Sequence, residues 1–337
     1  MNALSNSVTL VASGFAPEVA PGSVRLRRLL VALDFSASSF HAYHYAMALA
    51  ECFGGELSLL HVIPPSLLPE WGYAHLTRRD EQLKSVARSR LEAFVRSQSP
   101  PAGRVKRLHV RAGDPHLQIP EAARESAADL IVIATHGESL VPHCLLGNTA
   151  EAVVRRAPCP VWVVPGVTSG DAALQAVLLP PRRVLVATDF SAESRKAIRY
   201  GGVLAREFDA SLHLVHVVPT LLPADVSHLT SILQETSLQE SAMLELARMR
   251  AEELPADLHV VTKVLCGNPF LEIDKEALRV CAGLIIVSTH GRTGLRYLLL
   301  GCTAQHFVQH ASVPVLVVRE HEPEFVPITE LGKEKSL

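Results

Sequence analysis

The chain has 337 residues, 48% of them hydrophobic, which suits about two domains of ordinary size. Lys plus Arg (32) nearly balances Asp plus Glu (34), which excludes the broad positive field of a phosphate-neutralising protein, so no nucleic-acid partner is expected. Cys52, Cys144, Cys159, Cys266, Cys281 and Cys302 form neither a CxxC pair nor a metal-like spacing and read as small, reduced, mostly buried thiols; no metal site is expected.

Residues 1–24 lack the basic start and sustained apolar core of a secretory signal and are expected to form a flexible tail. Apolar strand-like runs then alternate with amphipathic stretches. Strands are predicted at 29–33, 56–63, 105–110, 129–135 and 160–164. Between them come a helix from Ser38 to Phe53, stopped by Gly54, and a long charged helix over about 76–98. A short third helix opens at Asp114-Pro115, an acidic cap followed by proline at the first helical position, and Pro120 inside it is expected to kink or delay it. A linker is expected at 166–181. The same order then returns, with strands at 184–188, 211–218, 258–264, 283–289 and 314–318, a long helix over 228–254 and a third helix opening at Asn268-Pro269. A charged tail is expected over 320–337. No apolar run approaches the roughly 20 residues needed to cross a bilayer, so a soluble, cytoplasmic protein without a membrane partner is expected.

The return is a repeat. Asp34 and Asp189 lie 155 residues apart, as do His61 and His216. Gly113 and Gly267, Gly137 and Gly291, and Pro160 and Pro314 are each 154 apart. One domain is written twice, over 25–165 and 182–319. In both copies the first and fourth strands are nearly uninterrupted apolar runs, as expected of central parallel strands buried on both faces.

Ligands of open α/β sheets sit beyond the carboxyl ends of the strands where strand order reverses. Asp34 and Asp189 follow strand one, and the tripeptide THG follows strand four. Nine residues separate that glycine from Gly147 or Gly301, where a helix begins whose first N–H groups suit an anion.

The series DFS, HV, GDP, THGRTGLRYLLLG and PVLVV resembles the universal stress proteins in their tandem form, over about nine-tenths of the chain. The resemblance implies an α/β fold of two doubly wound, five-stranded, Rossmann-like parallel sheets in the order 3-2-1-4-5, joined through their fifth strands as an internal pseudo-dimer. It also implies binding of adenine nucleotide, ATP with Mg²⁺ as a possible companion, at a motif of glycine, two residues, glycine, nine residues, glycine, then Ser or Thr. In copy two the motif falls on Ser288, Gly291, Gly301 and Cys302, with Asp189 and Val217 toward adenosine and Arg292, Gly294 and Thr303 alongside. In copy one it falls on Ala134, Gly137, Gly147 and Asn148, with Asp34, Val62 and Thr149. Two of the four motif positions depart from the pattern in each copy. Copy one also presents Glu138, Leu140 and Pro142 where copy two has Arg292, Gly294 and Arg296, and a carboxylate there repels phosphate. ATP is therefore expected mainly in domain 2, in a stress-response or signalling module.

Two other readings stand beside it: a nucleotide-free scaffold acting through protein contacts, and a slow ATPase. The glycines then serve either a nucleotide or the packing of strand four. No GxxxxGK[ST], GxGxxG or GxSxG motif is present, and no catalytic residue is assigned. His136 and His290 at strand ends read as loop-fixing groups, and His61 and His216 as satisfied interior histidines. Protein partners or a further dimer are compatible with the sequence.

Overall fold

A computed structural model describes residues 24–65, 76–135, 148–166, 179–219, 228–289, 301–319, 322 and 325. The first copy comprises β1 (Arg28–Ala32), α1 (Ala37–Phe53), β2 (Glu56–Ile63), α2 (Leu76–Gln98), β3 (Val105–Ala112), α3 (Pro115–Glu125), β4 (Leu130–Ala134), α4 (Asn148–Arg156) and β5 (Val161–Val164). The second comprises β6 (Arg183–Ala187), α5 (Ala192–Glu207), β7 (Ser211–Val218), α6 (His228–Glu253), β8 (Val260–Cys266), α7 (Pro269–Arg279), β9 (Leu284–Ser288), α8 (Cys302–His310) and β10 (Val315–Val318).

All ten strands form one sheet in the order β3-β2-β1-β4-β5-β10-β9-β6-β7-β8, two 3-2-1-4-5 units back to back. Pairing within each unit is parallel, and β5 meets β10 antiparallel through Val163–Val315, Trp162–Leu316 and Val161–Val317. The period of two along each strand divides the core. Leu29 and Val31 join one buried layer with α1, α2, α5 and α6, while Leu30 and Ala32 join the opposite layer with α3, α4, α7 and α8. On that second side α4 meets α8: Glu151 accepts hydrogen bonds from Gln305 (3.2 Å) and Gln309 (3.0 Å) and pairs with Arg155.

Local chemistry explains most boundaries. Gly54 ends α1 at φ 66°, a left-handed cap whose N–H donates to the Ala50 carbonyl. Asn268 caps α7 by accepting from the Leu271 N–H at 3.2 Å, whereas Asp114 holds the same place before α3 without a side-chain capping bond. Pro120 does not delay or shorten its helix, since α3 and α7 have 11 residues each and both start at their proline. The ring that removes one backbone bond is itself buried. The third strands also differ from expectation, β3 running on to Ala112 and β8 shifting to Val260–Cys266. Both are edge strands with mixed side chains, where hydrophobic alternation defines limits weakly. Two residues of the expected charged tail are buried: Lys196 donates to the Glu322 carbonyl (3.1 Å), and Phe325 packs edge-on to Tyr200 while its carbonyl accepts from the Arg25 N–H (2.8 Å). An aromatic ring with an apolar seat overrides the polarity of its neighbours.

Trp162 is 1% exposed at the centre of the antiparallel seam. Trp162→Ala is expected to destabilise the chain by about 3–5 kcal/mol, seen as a lower urea midpoint. A second expectation concerns acid. The hydrogen bond from Arg279, helped by Lys263 and opposed by burial, holds the Glu276 carboxyl at about 2 instead of its usual 4.5. The contribution of Glu276 is present above its unfolded pKa and is lost as pH falls from about 4.5 through about 2. Glu276→Gln should lower stability at neutral pH by about 1–3 kcal/mol and flatten that part of the acid limb in melting curves.

Candidate functional site

The turn after β6 is built from three side chains. Asp189 accepts from both the N–H (3.1 Å) and the hydroxyl (2.6 Å) of Ser191 through one carboxylate oxygen. Ser191 in turn caps α5 by accepting from the Ser194 N–H. Between them Phe190 lies at φ 66°, a left-handed conformation that costs a bulky residue of the order of 1–3 kcal/mol. Its ring stacks on His216 at 4.1 Å between centroids, and His216 Nδ1 lies 2.8 Å from the Thr188 carbonyl. That bond makes Nδ1 the donor, so the ring braces the turn. Thr188 adds a second brace by accepting from the Phe190 N–H at 3.1 Å.

Copy one repeats the device. Asp34 accepts from the Ser36 N–H and hydroxyl, Phe35 stands at φ 66°, and His61 bonds the Leu33 carbonyl at 2.8 Å with its ring 4.6 Å from that of Phe35. Copy one differs in that Arg90 of α2 lays its guanidinium 4.1 Å over the Phe35 ring. The residue at that position of α6 is Glu245: Ala87, Leu91 and Phe94 of α2 are buried as Ala242, Leu246 and Met249 of α6 are.

The second copy opens a cavity of about 820 Å³ over the carboxyl ends of β6, β7 and β9. Its size falls within the roughly 300–1,000 Å³ of small-molecule sites. Asp189, Val217, Ser288, Gly301 and Thr303 all line it. Its floor is apolar, with Val217, Ile273 and Val287, and its α6 wall carries Leu238, Ser241, Ala242 and Glu245. Gly301 takes φ −58°, ψ 143° and accepts from the Gln305 N–H as α8 begins, so positive φ does not explain this glycine. It provides no side-chain cap, and first-turn N–H groups have no acceptor within their own helix.

Gly291, Arg292 and Gly294, with Gly137 and Gly147 in copy one, lie outside the described residues. Of Cys302 and Asn148 only the backbone is described, each as the first residue of its helix, α8 and α4. Ala134 closes the buried run of β4, Val62 is buried in β2, and Thr149 is exposed on the first turn of α4. Sequence reasoning missed Phe35 and Phe190, since no rule expects left-handed phenylalanine, although the recurrence of DFS marked the place. It also missed Leu238, Ser241 and Glu245, which read as ordinary positions of a charged helix. Among the described residues no three of His, Cys, Asp and Glu gather as metal ligands, and no helix is long and apolar enough to cross a membrane.

A family model described as the Universal stress protein family matches residues 25–165 and again 181–319. A universal stress protein of Methanocaldococcus jannaschii is 35% identical over 148 residues, 42% of this chain and 85% of the relative. One from Mycobacterium tuberculosis is 28% identical over 306 residues, covering 87% of this chain and 97% of its own. A crystal structure of a universal stress protein from Archaeoglobus fulgidus has the same fold, with a TM-score of 0.58 over 88% of this chain and 99% of that one at 21% identity. With each five-stranded unit matched by the same family model, the chain belongs to the universal stress protein family, in its tandem form.

Proposed function

We propose that this protein is an adenine-nucleotide-binding stress-response or signalling module that holds ATP in the crevice of its second domain. The supporting observation is the convergence of Asp189, Val217, Ser288, Gly301 and Thr303 on one cavity between two helix layers. Asp189 and Val217 come from the ends of β6 and β7 and would face the adenosine. Gly301 and Thr303 belong to the start of α8, where backbone N–H groups and the helix dipole suit a phosphate chain. Gly291, Arg292 and Gly294 would complete the phosphate side, with Cys302 in place of the usual hydroxyl. Mg²⁺ would enter with the phosphates, neutralising charge that the backbone alone leaves exposed.

Copy one carries the weaker site in this reading. Asp34 and Val62 would keep the base side, and Ala134, Gly137, Gly147, Asn148 and Thr149 would form the phosphate side, but the sequence there includes Glu138, whose charge opposes phosphate. Each charge reversal at a partly exposed site shifts affinity by about 1–2 kcal/mol, roughly five- to thirtyfold.

Calorimetric titration with Mg-ATP should give one tight site per chain. Gly301→Trp should abolish it by filling the phosphate space, whereas Gly147→Trp should leave most of it. Two equal sites, or greater damage from Gly147→Trp, would sink the asymmetry, and no heat of binding would leave a scaffold role. Hydrolysis should be far below the about 1–1,000 per second of ordinary enzymes. Within the cavity, His216 and Asp189 are engaged in holding the turn. Steady-state phosphate release in that ordinary range would overturn a pure binding role.

A further inference from the structure

The second crevice has electrically opposite ends. α6 packs in the first helix layer, through Leu246 and Met249, and α8 in the second, through Ala304 and Phe307. The cavity therefore passes over the end of the sheet from one layer to the other, with Gly301 and Thr303 at the α8 end and Glu245 at the α6 end. The α8 end favours an anion through its helix dipole, and the α6 end disfavours one.

Resting on the nucleotide reading above, we infer that Glu245 is a specificity-determining residue at the base end of this crevice, selecting a base that presents an amino group. A carboxylate only accepts hydrogen bonds. It therefore favours the exocyclic amine of adenine over the plain C–H that replaces it in unsubstituted purine. Asp189 already gives one carboxylate oxygen to two bonds from Ser191, while Glu245 has a 3.6 Å ion pair with Arg248, a side chain that also serves Glu252 at 2.9 Å. Glu245 lines the cavity together with Asp189 and Phe190, and its counterpart Arg90 lies on Phe35 in copy one. Copy one thus puts five N–H donors where copy two puts an acceptor.

The test is titration of the full chain with Mg-ATP and with the magnesium complex of purine riboside triphosphate, which lacks that amino group and keeps N1 an acceptor. Wild type should favour ATP about tenfold, the lower end of what a charge-assisted hydrogen bond contributes. Glu245→Gln keeps the shape, and its amide both donates and accepts, so the two ligands should bind within about threefold. Glu245→Arg should reverse the preference. A preference for ATP over purine riboside triphosphate of wild-type size in both variants, equal loss of both ligands, or no preference in wild type would each overturn the assignment. Binding of neither ligand by wild type would overturn the nucleotide reading and this assignment with it, whereas tight binding with an unmoved ratio would overturn this assignment alone.

Discussion

The antiparallel contact between β5 and β10 is the constraint on which the rest of the architecture depends. Each five-stranded unit alone would end on a short, wholly apolar strand with unpaired backbone groups, a surface that templates aggregation. Pairing Trp162 with Leu316, flanked by valines, removes both edges at once and makes one sheet of ten strands. What remains at the outer rims is guarded. Lys106 and Arg107 stand exposed on β3, and Lys263 on β8 pairs with Glu276. With the seam fixed, α4 and α8 meet on one face, where buried Glu151 gathers two glutamines and an arginine.

The crevice depends on a smaller device, the turn that ends each first strand. An aspartate that satisfies a serine, a serine that caps a helix and a histidine that braces a left-handed phenylalanine fix the helix start relative to the strand end. The strain of the phenylalanine persists because several bonds over-determine it.

Most of the fold was legible from the sequence because its signals are redundant. Two copies of every landmark, at separations of 154 or 155, disclosed the repeat, and uninterrupted apolar runs disclosed which strands are central. Legibility failed where the signal is local and weak: the limits of edge strands β3 and β8, the tolerance of Pro120, and the burial of Phe325. In the candidate site, Asp189, Val217, Ser288, Gly301 and Thr303 were readable because resemblance aligned them. Glu245 was not, because its position on a charged helix has meaning only once the sheet brings β6 and α6 together. The glycine at 301 was readable as special, and since its backbone angles suit any residue, the adjoining cavity is what distinguishes it.

Because β5 and β10 run in opposite directions, every strand of the second unit points opposite to those of the first. The carboxyl ends of the two halves, and with them the two braced turns, therefore emerge on opposite margins of the molecule. A small ligand held at one margin cannot also contact the other. Joining the halves in one polypeptide has a further effect that a dimer of identical chains could not have. A substitution in one half need not appear in the other, and Arg90 and Glu245 occupy matching positions with opposite charge. The chain is a two-faced body whose faces were free to diverge while sharing a single sheet.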